Sequence, residues 1–105
     1  MRTGTAKDMV YANCGELRNY AKVYAQKKHQ TFSSMMDKNG VSNATLANAI
    51  TKYRIHANKY ADFKIVSSDI EQEDLGYISL AVLTQICTIF KTDVTKYIID
   101  KDKPE

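Results

Sequence analysis

The stretch from Thr31 to Tyr53, TFSSMMDKNGVSNATLANAITKY, constrains the fold more than any other part of the chain. Apolar residues recur at helical spacing on both sides of one break, Asn39-Gly40-Val41-Ser42. Thr31 is an N-cap candidate for a helix from Phe32 to about Lys38, with Phe32, Met35 and Met36 on its inner face. Asn39-Gly40 stops that helix, because glycine readily takes the left-handed conformation found just past helix ends. Val41 is an apolar plug in the break, and Ser42 an N-cap for a second helix from Asn43 through Tyr53 or beyond. Leu46, Ala49, Ile50 and Tyr53 define its buried face, while Asn43, Thr45, Asn48 and Lys52 point elsewhere with the small Ala44 and Ala47. Asparagine is a poor interior helix former, so two in one short helix ask for a reason.

Around this pair the chain reads as mostly helical. One Pro and four Gly among 105 residues leave few helix breakers in a chain of single-domain size. Residues 1–14 have no clear period and read as an arm. A basic helix follows at 15–28, with Leu17, Tyr20, Ala21 and Tyr24 at three- and four-residue spacing and Arg18, Lys22, Lys27 and Lys28 as its cations. Residues 55–78 form a partly acidic insertion that reads in two ways. Ser68-Asp69-Ile70-Glu71 has the form of a capping box opening a short helix that ends before Gly76. The alternative is a two-stranded hairpin around residues 63–79, with Phe63–Val66 paired to the Tyr77–Ser79 region. Ser79 then caps the most apolar helix, Leu80 to Phe90, and Thr92-Asp93 caps a last helix through about Ile99. The tail KDKPE is read as disordered.

Several function classes find no support. No apolar run approaches the ~20 residues of a membrane span. The first residues lack the apolar core of a signal peptide, so a cytoplasmic location is expected. Cys14 and Cys87 are far apart and, like His29 and His56, show no metal-ligand spacing. No nucleophile–base or carboxylate pair is visible, so the chain is read as a non-enzyme that needs no cofactor. The charge is uneven: residues 1–64 carry 11 Lys and Arg against 4 Asp and Glu, residues 65–105 carry 4 against 8. A basic part joined to an acidic part suits one face for a polyanion and another kept away from it.

FSSMMDKNGVSNATLANAI resembles the paired second and third helices of the phage repressor and Cro type of helix-turn-helix domain, with Gly40-Val41-Ser42 as the turn. ISLAVLTQICTIFKTDVTKYI is similar to that family's closing pair, and the basic helix at 15–28 falls where the family has its first. Met36 and Asn39 depart from the family pattern, as does the long acidic link. The resemblance implies an all-α fold: a repressor-like helix-turn-helix bundle of about five to six short helices, with 31–54 as the helix-turn-helix pair and 79–99 as the closing helices. It also implies a small transcriptional regulator of phage or mobile-element type that binds double-stranded DNA as a homodimer. Asn43, Ala44 and Asn48 then face base edges, where asparagine can pair with adenine, and Thr51 ends that surface. Ser42, Thr31, Ser33, Lys38 and Lys52 hold phosphates, and the arm adds backbone or minor-groove contacts. The competing expectation is a protein-binding module on the same scaffold, such as an antirepressor or inhibitor, meeting its partner through the first helix or the acidic insertion.

Overall fold

The computed structural model describes residues 8–58 and 65–99. Its elements in chain order are β1 (Met9–Ala12), α1 (Cys14–Lys27), α2 (Phe32–Lys38), α3 (Thr45–Asn58), β2 (Gly76–Ser79), α4 (Leu80–Ile89) and β3 (Ile98–Ile99). Short 3-10 turns at Ser67–Asp69 and Val94–Lys96 complete the described elements. The fold is therefore mixed α/β, which overturns the expected all-α bundle of five to six helices.

The correction centres on a three-stranded antiparallel sheet in the order β2-β1-β3. Met9–Ala12, expected within an arm, is its middle strand; residues 1–7 lie outside the described residues. Tyr11 pairs with Tyr77 on one side and with Ile99 on the other. The Tyr77–Ser79 region is a strand as the hairpin reading had it, but its partner is β1. Ile65 and Val66 are not in a strand, while Phe63 and Lys64 lie outside the described residues. The short-helix reading of the acidic segment reduces to the single turn Ser67–Asp69. The expected last helix is one turn followed by β3, because Ile98 and Ile99, β-branched, find a ladder on Ala12 and Tyr11. Lys59 and the tail KDKPE also fall outside the described residues.

The helices lie close to their expected positions. The Thr31 hydroxyl accepts from the Ser34 amide at 3.0 Å, the Ser79 hydroxyl from the Val82 amide at 3.4 Å, and the Asp93 carboxylate from the Thr95 amide at 3.1 Å. Three helix ends close in the same way. The Gln30 amide donates to Ala25, the Val41 amide to Met36 and the Thr92 amide to Cys87, at 2.9, 3.0 and 2.9 Å. The left-handed residue at these ends is His29, Gly40 and Lys91 in turn. Only the middle end announces itself with glycine.

The core is one cluster. Leu17, Ala21 and Ala25 of α1, Phe32 and Met36 of α2, Leu46 and Ile50 of α3, and Leu83, Ile86 and Phe90 at the end of α4 are all buried, together with Ile78 and Tyr97. Phe90 is the aromatic hub: its ring stacks on Phe32 at 5.7 Å and meets Tyr24 edge-on at 6.1 Å. Val41, buried in the turn, carries the α2–α3 junction onto this core.

Two glycines permit the closest approaches. The backbone of residues 71–74 lies against Gly15, whose amide donates to the Asp74 carbonyl at 2.8 Å. A methyl group at Gly15 would collide with the Glu71 carbonyl, and one at Gly76 would meet Cys14 Sγ at 2.5 Å. Gly15→Ala is expected to destabilise the fold by about 3 kcal/mol, because backbone atoms cannot yield as a flexible side chain can. Gly40→Ala has open space around it, so its loss should be about 1 kcal/mol from its positive φ alone. Urea titration of both variants checks the order; equal losses would place the Gly15 contact wrongly.

The two thiols are buried in the same region. Burial, with a smaller contribution from Cys87, pushes Cys14 up to about 12; burial, with a smaller contribution from Asp93, pushes Cys87 up to about 11. An ordinary thiol in the unfolded chain releases its proton near 9.0, so stability should fall as pH rises above that value while the folded thiols stay protonated. Iodoacetamide at mildly alkaline pH should accordingly label the denatured chain rapidly and the folded chain slowly, as read by intact mass.

Candidate nucleic-acid interface

α2 and α3 meet at the Gly40-Val41-Ser42 turn, with φ +77° at Gly40. The turn is also held from α4, where the Gln85 side-chain amide donates to the Asn39 carbonyl at 3.4 Å. Asn39 in turn donates its side-chain amide to the Met35 carbonyl at 2.8 Å, so this exposed residue covers a helix-end acceptor. Met36, the other departure from the family pattern, is fully buried. Ser42 accepts from the Ala44 amide at 3.1 Å, and its carbonyl accepts from the Thr45 amide at 3.0 Å. The helix thus starts at Thr45, two residues later than expected, with Asn43 and Ala44 forming its entry turn.

On α3, Leu46, Ala47, Ala49 and Ile50 are buried. Asn48, Lys52 and Ile55 are exposed along one stripe, and Asn43 and Ser42 are exposed at its leading end; Ala44 is half-buried. No residue of α3 is acidic. The stripe forms one wall of a cleft of about 220 Å³, with Thr45, Asn48 and Lys52 facing Tyr77, Ser79 and Met9. The sheet therefore places a second wall beside the helix that sequence reasoning chose for base contacts.

Thr51 does not belong to the exposed stripe. It is half-buried, donates its hydroxyl to the Ala47 carbonyl at 3.0 Å and accepts from the Ile65 amide at 3.0 Å. Its hydroxyl anchors the backbone at Ile65 to α3. Arg54 points to the acidic segment, pairing with Asp74 at 3.3 Å. Asp74 also accepts from the Glu71 amide at 2.9 Å, so one carboxylate fastens the acidic turn to α3. The pair is part-exposed and contributes little by charge alone, about 0–1 kcal/mol.

Thr31 and Ser33 stand at the start of α2 and Lys38 at its end. They line one shallow depression with Ser34 and Asp37. Thr31 and Ser33 also line a second cleft of about 250 Å³ with Arg18, Lys22, Gln26 and Gln30. Arg18 and Lys22 had been read only as part of a generally basic helix. The signal that finds them is the spacing Arg18, Lys22, Gln26, which puts one polar stripe on the α1 face nearest α2. Arg18 lies over the Phe32 ring at 5.5 Å, within cation–π range. Burial pulls its pKa down, yet a guanidinium remains charged at neutral pH.

Among the described residues, no group of three or more His, Cys, Asp or Glu could hold a metal ion, and no helix is long and apolar enough to cross a membrane. No protein-family model, curated protein or solved structure matches the chain. Thr51→Val should cost about 1–3 kcal/mol, since it leaves the Ile65 amide without its acceptor, while Lys52→Ala should leave stability within about 0.5 kcal/mol. Thermal melts of the two variants separate the anchor from the exposed stripe.

Proposed function

We propose that the protein binds double-stranded DNA in a sequence-specific manner, as a small transcriptional regulator of phage or mobile-element type that acts as a homodimer. The observation that carries this reading is the exposed, acid-free stripe of α3, with Asn43 and Asn48 at its leading half and Lys52 behind them. In this reading α3 enters the major groove and the two asparagines read base edges. Ser42, Thr31, Ser33, Lys38 and Lys52 set the register on phosphates. The acidic segment is drawn toward Arg54 and away from the stripe by its pairing through Asp74. A single module of this size buries limited surface on DNA, which favours two copies on a palindromic site.

A second reading, a protein-binding module such as an antirepressor or inhibitor, has its own observation. Tyr20 and Val23 are 36% and 45% exposed on α1, an apolar surface that duplex contacts through α3 do not require. Retention on random-sequence duplex separates the readings, because contacts to phosphates weaken steeply with salt.

The expected outcome for DNA binding is as follows. Selection from random duplexes should yield a palindromic site for the wild type. Asn43→Ala combined with Asn48→Ala should relax that preference at roughly 1–3 kcal/mol per lost base contact. Lys52→Ala should weaken all duplexes alike and flatten the salt dependence by about one phosphate. An unchanged site preference in the asparagine double variant would remove α3 from base reading.

A further inference from the structure

The cleft between α1 and the start of α2 has features that neither the core nor the α3 stripe uses. Arg18 Nε is buried and has no hydrogen-bond partner among the described residues. A buried donor left unpaired is costly, so the packing of the guanidinium on Phe32 is held at some expense. The guanidinium carbon lies 5.5 Å from the centre of the Phe32 ring, a contact that helps hold the side chain beside the cleft. Lys22 stands one turn further along α1 in the same cleft, and the described lining contains no carboxylate. Gln26, Gln30, Thr31 and Ser33 supply uncharged polar groups around the two cations.

We propose that Arg18 and Lys22 hold a backbone phosphate of the bound nucleic acid in this cleft. The inference rests on the duplex-binding reading and extends its phosphate contacts from α2 and α3 onto α1. Two cations without a carboxylate repel each other, and a phosphate between them reverses that sign. A guanidinium suits phosphate oxygens through two parallel donors, and the ammonium adds a second charge. The occupant is a polymer of phosphates because the cleft does not stand alone. Its Thr31 and Ser33 also line the adjoining depression that holds Lys38, whose ammonium donates to Gln30 Oε1 at 2.9 Å. Arg18, Lys22 and Lys38 thus follow one path across two adjoining hollows, along which a sugar-phosphate chain can run with Asp37 as the one carboxylate in the second hollow.

The test uses the full chain and a random-sequence duplex of about 24 base pairs, with affinity measured from about 50 to 300 mM NaCl. Arg18→Gln and Lys22→Gln should each weaken binding and together flatten the slope of log affinity against log salt by about 0.9 for the one phosphate released. Sequence preference, set by α3, should stay as in the wild type. Arg18→Lys keeps the charge but loses the planar fork of donors, so it should retain most of the slope and still bind several-fold more weakly. Lys22 is exposed, so Lys22→Gln reports on the cleft even where Arg18→Gln disturbs the packing on Phe32. Wild-type duplex binding with unaltered affinity and slope in Lys22→Gln and in any folded Arg18→Gln overturns the phosphate site and leaves the α3 reading standing. Absence of duplex binding by the wild type at low salt overturns both.

Discussion

The close approach of residues 71–76 to the first turn of α1 is the contact on which the rest of the arrangement depends. Gly15 accepts the backbone of the acidic turn against itself, and its amide is satisfied by the Asp74 carbonyl. Gly76 then starts β2 directly against Cys14 and Ala49, joining α1, α3 and the sheet within a few residues. From this point β2 pairs with β1, and the Asn13 amide donates to the Tyr97 carbonyl to bring the C-terminal part of the described chain back beside it. Side chains of ordinary size at either glycine would separate these layers. The tightness of the junction is also what keeps Cys14 dry.

The same junction sorts charge. Asp74 caps its own turn through the Glu71 amide and reaches Arg54 on α3, so the acidic segment is tied to the later part of that helix. The entry turn and first half of α3, from Ser42 to Lys52, carry no carboxylate. A net charge of +3 is therefore a poor description of what a ligand meets. Arg18, Lys22 and Lys52 stand in clefts whose described lining holds no carboxylate, while the carboxylates of residues 69–74 are gathered into one segment. Separation of this kind gives an approaching polyanion an orientation as well as an attraction.

The α-helices were legible because their signals are local. Thr31 and Ser79 cap α2 and α4 as their residue types suggested, and Gly40-Val41 forms the turn between α2 and α3, whereas Asp93 caps only a single 3-10 turn where a helix was expected. The sheet was not legible. Met9–Ala12 is a four-residue strand whose partners lie more than sixty positions away, so neither its length nor its neighbours announce it. Ile98 and Ile99 continued a plausible apolar period, and only the presence of β1 turns them into a strand. In the candidate site, Asn48 and Lys52 fall on the exposed stripe that periodicity gave them. Thr51 does not, because Ile65, fourteen residues on, takes its hydroxyl.

The sequence by itself determined the short-range features of this protein: helix caps, the glycine turn, the apolar faces, and the uneven spread of charge. Each depends on residues within a turn or two of one another, so no distant partner is needed to specify it. Tertiary structure alone decided that the fold is mixed α/β, that Tyr77 and Ser79 wall the cleft beside α3, and that Arg54 faces Asp74. It also decided that Arg18 stands over Phe32 with a buried, unpaired Nε and lines a cleft shared with Thr31 and Ser33. These arise where segments remote in sequence close on each other, and the space left between them depends on how all the elements pack at once.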